Sequence, residues 1–154
     1  MDETRFQDIR LISAAGAEES LALRRMAEEA EEYLNAFPWC PPIVRGWLAD
    51  GAGGIIAVCL FEFSKPIAGG DRKLWVIIGD FPRACVAVLP DDSPRAAVER
   101  YAAMLDRWID RVMSFQPAPW GEYPLELEPS LAEAKIVRMK VDFLRTEILP
   151  FLES

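Results

Sequence analysis

Between Glu18 and Phe37 apolar residues recur at helical spacing, at Leu21, Leu23, Met26, Ala30, Tyr33, Leu34 and Phe37, with charged residues among them. That spacing predicts an amphipathic helix with one stripe on a core and an acidic outer face. In "PWCPPIVRGWLADGAGG" the prolines can open a short helix through Ile43, Val44, Trp47 and Leu48, which Gly51, Gly53 and Gly54 then stop. The period changes at residue 55. Residues 55–63, "IIAVCLFEF", are β-branched and aromatic with almost no polar break, the pattern of a central strand covered on both faces. "IAGGD" makes a turn, residues 73–78 predict a second strand, Gly79-Asp80-Phe81-Pro82 breaks it, and residues 83–89 predict a third.

Strands joined by such short connections pair antiparallel, because a parallel crossover needs a dozen or more residues. Ser93 as N-cap and Pro94 at the first helical position open the next helix. Its stripe is Val98, Tyr101, Ala102, Leu105, Trp108, Ile109 and Val112. The proline-rich stretch 116–129 predicts an extended segment with an edge strand at Tyr123–Leu127. Ser130 and Glu133 form a capping box for a last helix reaching about Leu149, with Leu131, Ala134, Val137, Val141, Leu144 and Ile148 inward. The expected fold is one α+β domain over residues 1–154. It comprises an antiparallel meander of three to four strands, flanked by N-terminal helices and two long C-terminal helices.

Charge narrows the function classes. The chain carries 25 acids against 17 bases, a net −8, and no histidine. Ser-His-Asp and Cys-His nucleophiles, imidazole metal ligands and a histidine pH switch are thereby excluded. The bases are scattered and the overall field repels phosphate, so nucleic acid is not an expected ligand. No apolar run reaches the roughly 20 residues of a spanning helix, and the acidic N-terminus does not read as a secretion signal, so no membrane association and a cytoplasmic location are expected. Cys40, Cys59 and Cys85 read as reduced thiols, two of them inside apolar runs. No cofactor is expected, and no metal site is expected from the cysteines.

Three sets of residues carry the candidate chemistry. "GAGGII" resembles a phosphate-binding loop in its glycines alone, since such a loop leaves a strand and enters a helix, whereas these glycines precede a strand. Asp80 suits a turn whose side chain bonds nearby amides; alternatively it pairs with Glu62, the lone acid of the first apolar strand, as general acid and base or as cation ligands. Residues 1–36 hold nine acids against four arginines. Glu28, Glu29, Glu31 and Glu32 therefore form a candidate docking face for a basic protein, with Trp120 of the proline-rich segment as a further partner contact.

The combination of "YLNAFPWC", "LWVIIGDFP" and "AAVERYAAMLDRWIDRV" with a closing amphipathic helix resembles a group of small acidic bacterial proteins of uncharacterised function. The resemblance implies no activity. By analogy of class, some proteins of this size and charge are immunity proteins or antitoxins. The expected function is therefore non-enzymatic binding of a basic protein partner. A small hydrolase or metal-assisted enzyme using Glu62 and Asp80 is the alternative. A homo-oligomeric accessory protein, such as a homodimer joined through an apolar sheet face, is the other.

Overall fold

The computed structural model describes residues 1–12, 18–67, 69–116 and 125–154. Five strands, β1 (Gln7–Asp8), β2 (Ile43–Ala52), β3 (Ile56–Phe63), β4 (Lys73–Gly79) and β5 (Ala84–Ala87), form one sheet in the order β1-β2-β3-β4-β5. Every pair is antiparallel. Among the described residues three α-helices accompany it: α1 (Glu18–Asn35), α2 (Pro94–Met113) and α3 (Leu131–Phe143). The α+β class and the antiparallel meander follow the sequence expectation, whereas the sheet is wider and the N-terminal part holds one α-helix.

The segment expected to be a short helix is strand β2. Its register against β3 shifts between Ile43 and Arg45 and again between Leu48 and Asp50. Each shift inserts an extra residue, and an extra residue exchanges the faces on which following side chains emerge. Ile43 thus packs on the α1 side while Trp47 lies in the opposite core. The first shift puts Ile43 and Trp47, four residues apart, on opposite faces, and with Val44 and Leu48 beside them the apolar positions 43, 44, 47 and 48 mimic a helical spacing. The glycines that follow form the β2–β3 hairpin, with Gly54 at φ +79°, rather than stopping a helix. Gly46 serves close packing, since a Cβ there would lie 2.8 Å from the Phe61 ring and 2.9 Å from Ile9. The expected edge strand at Tyr123–Leu127 is not formed over 125–127, and Tyr123 lies outside the described residues.

Alternation along β3 and β4 divides the interior into two cores. Ile56, Val58, Leu60, Trp75 and Ile77 pack with α2 and α3. Ala57, Cys59, Phe61, Leu74, Val76 and Ile78 pack with α1. Among the described residues helices cover both faces of the sheet, α1 on one core and α2 with α3 on the other, so the apolar faces expected as a subunit interface pack within the chain. The helix starts behave as their caps predict: Ser93 Oγ accepts from Ala96 N at 3.1 Å and Ser130 Oγ from Glu133 N at 3.1 Å. The second half of the capping box is replaced, because Ser130 N donates to Glu128 O at 2.8 Å.

One buried carboxylate joins sheet to helix. Asp92, in the β5–α2 connection, has a side chain only 1% exposed and meets Arg100 of α2 at 2.6 Å. Trp75 Nε1 of β4 donates to it at 2.9 Å, Leu89 N at 3.0 Å and Ser93 N at 3.0 Å. Arg100 also donates to Ala87 O at 3.0 Å, reaching the end of β5. Burial pushes the Asp92 carboxyl up, but the Arg100 guanidinium and the N–H donors outweigh it and hold the group below its ordinary 3.8.

Removing this acceptor leaves Arg100 and the Trp75 indole without their partner. Asp92→Ala is expected to lower stability at neutral pH by about 3 kcal/mol, measured by urea unfolding. Because the folded value is depressed, the stability contributed by the ionised group is complete above its unfolded pKa and lost as pH falls through the folded one. Asp92→Asn should therefore show a shallower loss of stability than the parent below about pH 4. Parallel acid-unfolding curves would refute this role.

Candidate protein-binding face

The acids of α1 stand on a helix whose opposite side is committed to the core through Met26, Ala27, Ala30, Tyr33 and Leu34. Glu28, Glu29 and Glu32 are exposed and Glu31 is half-buried. Glu28 is partly neutralised, since Arg24 Nε lies 3.1 Å from its Oε1. Among the described residues no ion pair holds Glu29, Glu31 or Glu32. The start of the helix is anchored differently: Glu19 Oε1 accepts from Gly53 N of the β2–β3 hairpin at 2.8 Å. The acids at the far end have no such structural task.

Their position opposes the helix itself. The last turn of α1 contains no base, although the partial negative charge of a helix C-terminus favours cations and disfavours glutamate. Glu28 and Glu32 are four residues apart and Glu28 and Glu31 three apart, so like charges also face one another along the surface. The acids at this end of α1 thus carry a local electrostatic cost.

The other candidate carboxylates are not brought together. Glu62 pairs across strands with Lys73, whereas Asp80 follows Gly79, which pairs with Ile56. Six rungs of ladder separate the two sites, about 20 Å along the strands, beyond the reach of a general acid and base sharing one substrate bond. Glu62 instead lies 3.9 Å from Lys73 Nζ, which also pairs with Glu3. Lys73 Nζ and the Arg45 guanidinium also lie 5.8 and 5.6 Å from the Trp47 ring centroid, within cation–π range.

Asp80 occupies a groove of about 740 Å³ between the β4–β5 turn and α3, together with Phe81, Glu133, Met139, Lys140 and Phe143. Its carboxylate is exposed and accepts no hydrogen bond among the described residues. The turn is made by the backbone: Asp80 N donates to Ile55 O at 2.9 Å, and Gly79 has φ +138°. A Cβ at residue 79 would lie 2.1 Å from Ile55 O, so glycine is required there and the aspartate side chain is not. The groove-lining Glu133 and Lys140 were not foreseen as site residues. Their helical spacing is visible in the sequence, but their proximity to the Gly79–Pro82 turn is not.

The thiols are not activated. Cys59 and Cys85 are buried and burial pushes each up to about 12, and burial also raises Cys40, which keeps all three protonated at neutral pH. Trp47, Trp75 and Trp108 are core residues. Trp120 lies outside the described residues.

These placements separate the roles of neighbours 79 and 80. Asp80→Ala and Asp80→Asn are expected to melt within about 0.5 kcal/mol of the parent, as surface substitutions without partners do. Gly79→Ala is expected to cost at least about 2 kcal/mol through strain and the clash with Ile55. Thermal denaturation ranks the three variants; a costly Asp80→Ala would restore the side chain's part in the turn.

Comparison with known proteins finds no matching family model, no matching curated protein and no matching solved structure.

Proposed function

We propose that the chain is a non-enzymatic protein-binding protein of the bacterial cytoplasm, of the immunity or antitoxin kind, that docks a basic protein through the acidic crest of α1. The observation that carries this reading is the row Glu29, Glu31 and Glu32, exposed or half-exposed and without ion-pair partners among the described residues, towards the helix end where the dipole disfavours it. A concentrated field of one sign speeds the approach of an oppositely charged partner and rejects like-charged ones. The apolar side of α1 is already used in the core, so the surface available for recognition is a charged one. Such a surface sets encounter rate and selectivity more than residence time.

Two variants test the reading. In the first, Glu28, Glu29, Glu31 and Glu32 become lysine; in the second, Glu31→Gln and Glu32→Gln only remove charge. The immobilised parent is used to capture a basic protein, and association of that purified protein with each variant is followed at about 0.1 M and about 1 M salt, where the Debye length falls from ~10 to ~3 Å. Both variants should associate more slowly at low salt, the lysine variant most, with smaller changes in dissociation. The glutamine variant should at the same time gain a few tenths of a kcal/mol in stability, because it relieves the dipole and the like-charge contacts. Equal, salt-independent association rates, or the absence of any basic protein among those captured, would overturn the proposal.

A further inference from the structure

Helix α3 is apolar on two sides. Its inner stripe, Ala134, Val137 and Val141, is buried and continues into Leu144 and Ile148 of the π turn that prolongs it. Almost opposite lies a second stripe, Ala132, Ile136, Met139 and Phe143, at spacings of four, three and four. Ala132 is exposed; Ile136 is 47%, Met139 72% and Phe143 44% exposed. These are not scattered surface apolar residues. They form a continuous row, and Phe143 extends it by stacking on Phe81 at 6.3 Å, which carries the row to the edge of the groove beside α3. A contiguous apolar strip of this kind on an otherwise charged surface marks an interaction site, and the i, i+4, i+7, i+11 spacing is that of a helix-pairing seam.

The charges flanking the seam identify what fits it. On one flank stand Lys135 and Asp142, on the other Glu133 and Lys140, and none of the four is in an ion pair among the described residues. When two copies of a helix pack antiparallel about a two-fold axis, each flank meets its own counterpart. With Ile136 opposite Met139 of a second copy, Ala132 falls opposite Phe143, a small residue against a large one. In that register Lys135 lies within about 3 Å along the axis of Asp142 in the second copy, and Glu133 equally close to Lys140. Both flanks therefore join opposite charges, twice each. Local charge agrees: the chain as a whole carries −8, but residues 131–148 hold four bases against three acids, so this is a surface on which two acidic chains can approach.

We propose that the outer stripe of α3 is the interface of a two-fold symmetric dimer of this chain, with the two α3 helices antiparallel. This surface lies across the sheet from α1, since α1 packs on one core and α3 on the other. The dimer therefore leaves both acidic crests open, and the inference stands independently of the partner that binds there.

Sedimentation equilibrium of the full chain from about 1 to about 100 μM tests it, a range that spans the weaker end of specific protein association. The parent should move from the monomer mass towards twice that mass. Met139→Glu, at a position too exposed to disturb folding, should weaken association at least tenfold. Lys135→Glu should weaken it several-fold by opposing two acids across the axis, and Lys135→Glu combined with Asp142→Lys should recover the parent value, with circular dichroism confirming that every variant is folded. A parent that remains monomeric at 100 μM, a dimer indifferent to Met139→Glu, or a charge exchange that fails to recover association would each overturn the proposal.

Discussion

Asp92 holds together parts that would otherwise have few reasons to stay in register. Two oxygens serve an indole from β4, a guanidinium from α2 and two amides of the connection between β5 and α2. A carboxylate this deeply buried is tolerated only when its lone pairs are occupied, and here the occupancy fixes the angle at which α2 leaves the sheet. With α2 set, the seat for α3 follows, because the inner stripe of α3 joins the core that α2 forms with the sheet. The C-terminal residues are tied to the same helix start: Arg95 donates to Leu152 O at 3.0 Å and to Pro150 O at 2.9 Å. The layer on the α2 side of the sheet is thus positioned by polar contacts and filled by apolar ones.

Where a single physical rule governed a segment, the sequence could be read directly. β3 and β4 are covered on both faces and carry uninterrupted apolar runs; α2 and α3 begin at serines that cap them. Reading failed where two rules overlapped. In β2 two adjacent apolar pairs, Ile43-Val44 and Trp47-Leu48, counterfeit a helical period, and β1, with two residues, is too short to have a pattern. Asp92 was hidden beside a serine cap that accounted for the local sequence without it, although an acid directly before "SPRAAVERY", with an arginine eight residues on, is a signal a search for buried pairs could use. The separation of Glu62 from Asp80 depends on hairpin register, which composition does not encode. The outer stripe of α3 is legible as a second period, masked by the stronger inner one.

Charge is distributed with the same economy as the apolar residues. Several acids are engaged inside the chain: Glu19 at the hairpin, Glu3 and Glu62 around Lys73, Asp106 against Arg145 at 2.5 Å, and Glu126 against Arg83 at 2.8 Å. Exposed pairs of this kind add little stability individually, but they distinguish acids with an internal partner from Glu29, Glu31 and Glu32, which have no ion pair among the described residues. The two surfaces singled out differ in kind. The α1 crest is predominantly acidic and has no apolar strip, which suits recognition by field, whereas the outer side of α3 has an apolar seam edged by both signs, which suits recognition by shape and register.

From β2 to β5 each strand pairs with its successor in the chain, and none of the connecting segments contains a helix. Bringing such neighbours together closes only short loops, so little chain entropy is spent before pairing is rewarded. β1 is different: its two residues must find Trp47 and Leu48 across the whole of α1. That contact is the most non-local of the sheet and has the fewest ladder bonds. The order of assembly follows from this imbalance, with the hairpins of β2–β5 forming as a local unit and the N-terminal strand docking last. With the fewest ladder bonds, the same strand is expected to be the first to detach during native-state opening, exposing the outer edge of β2 while the central strands remain paired.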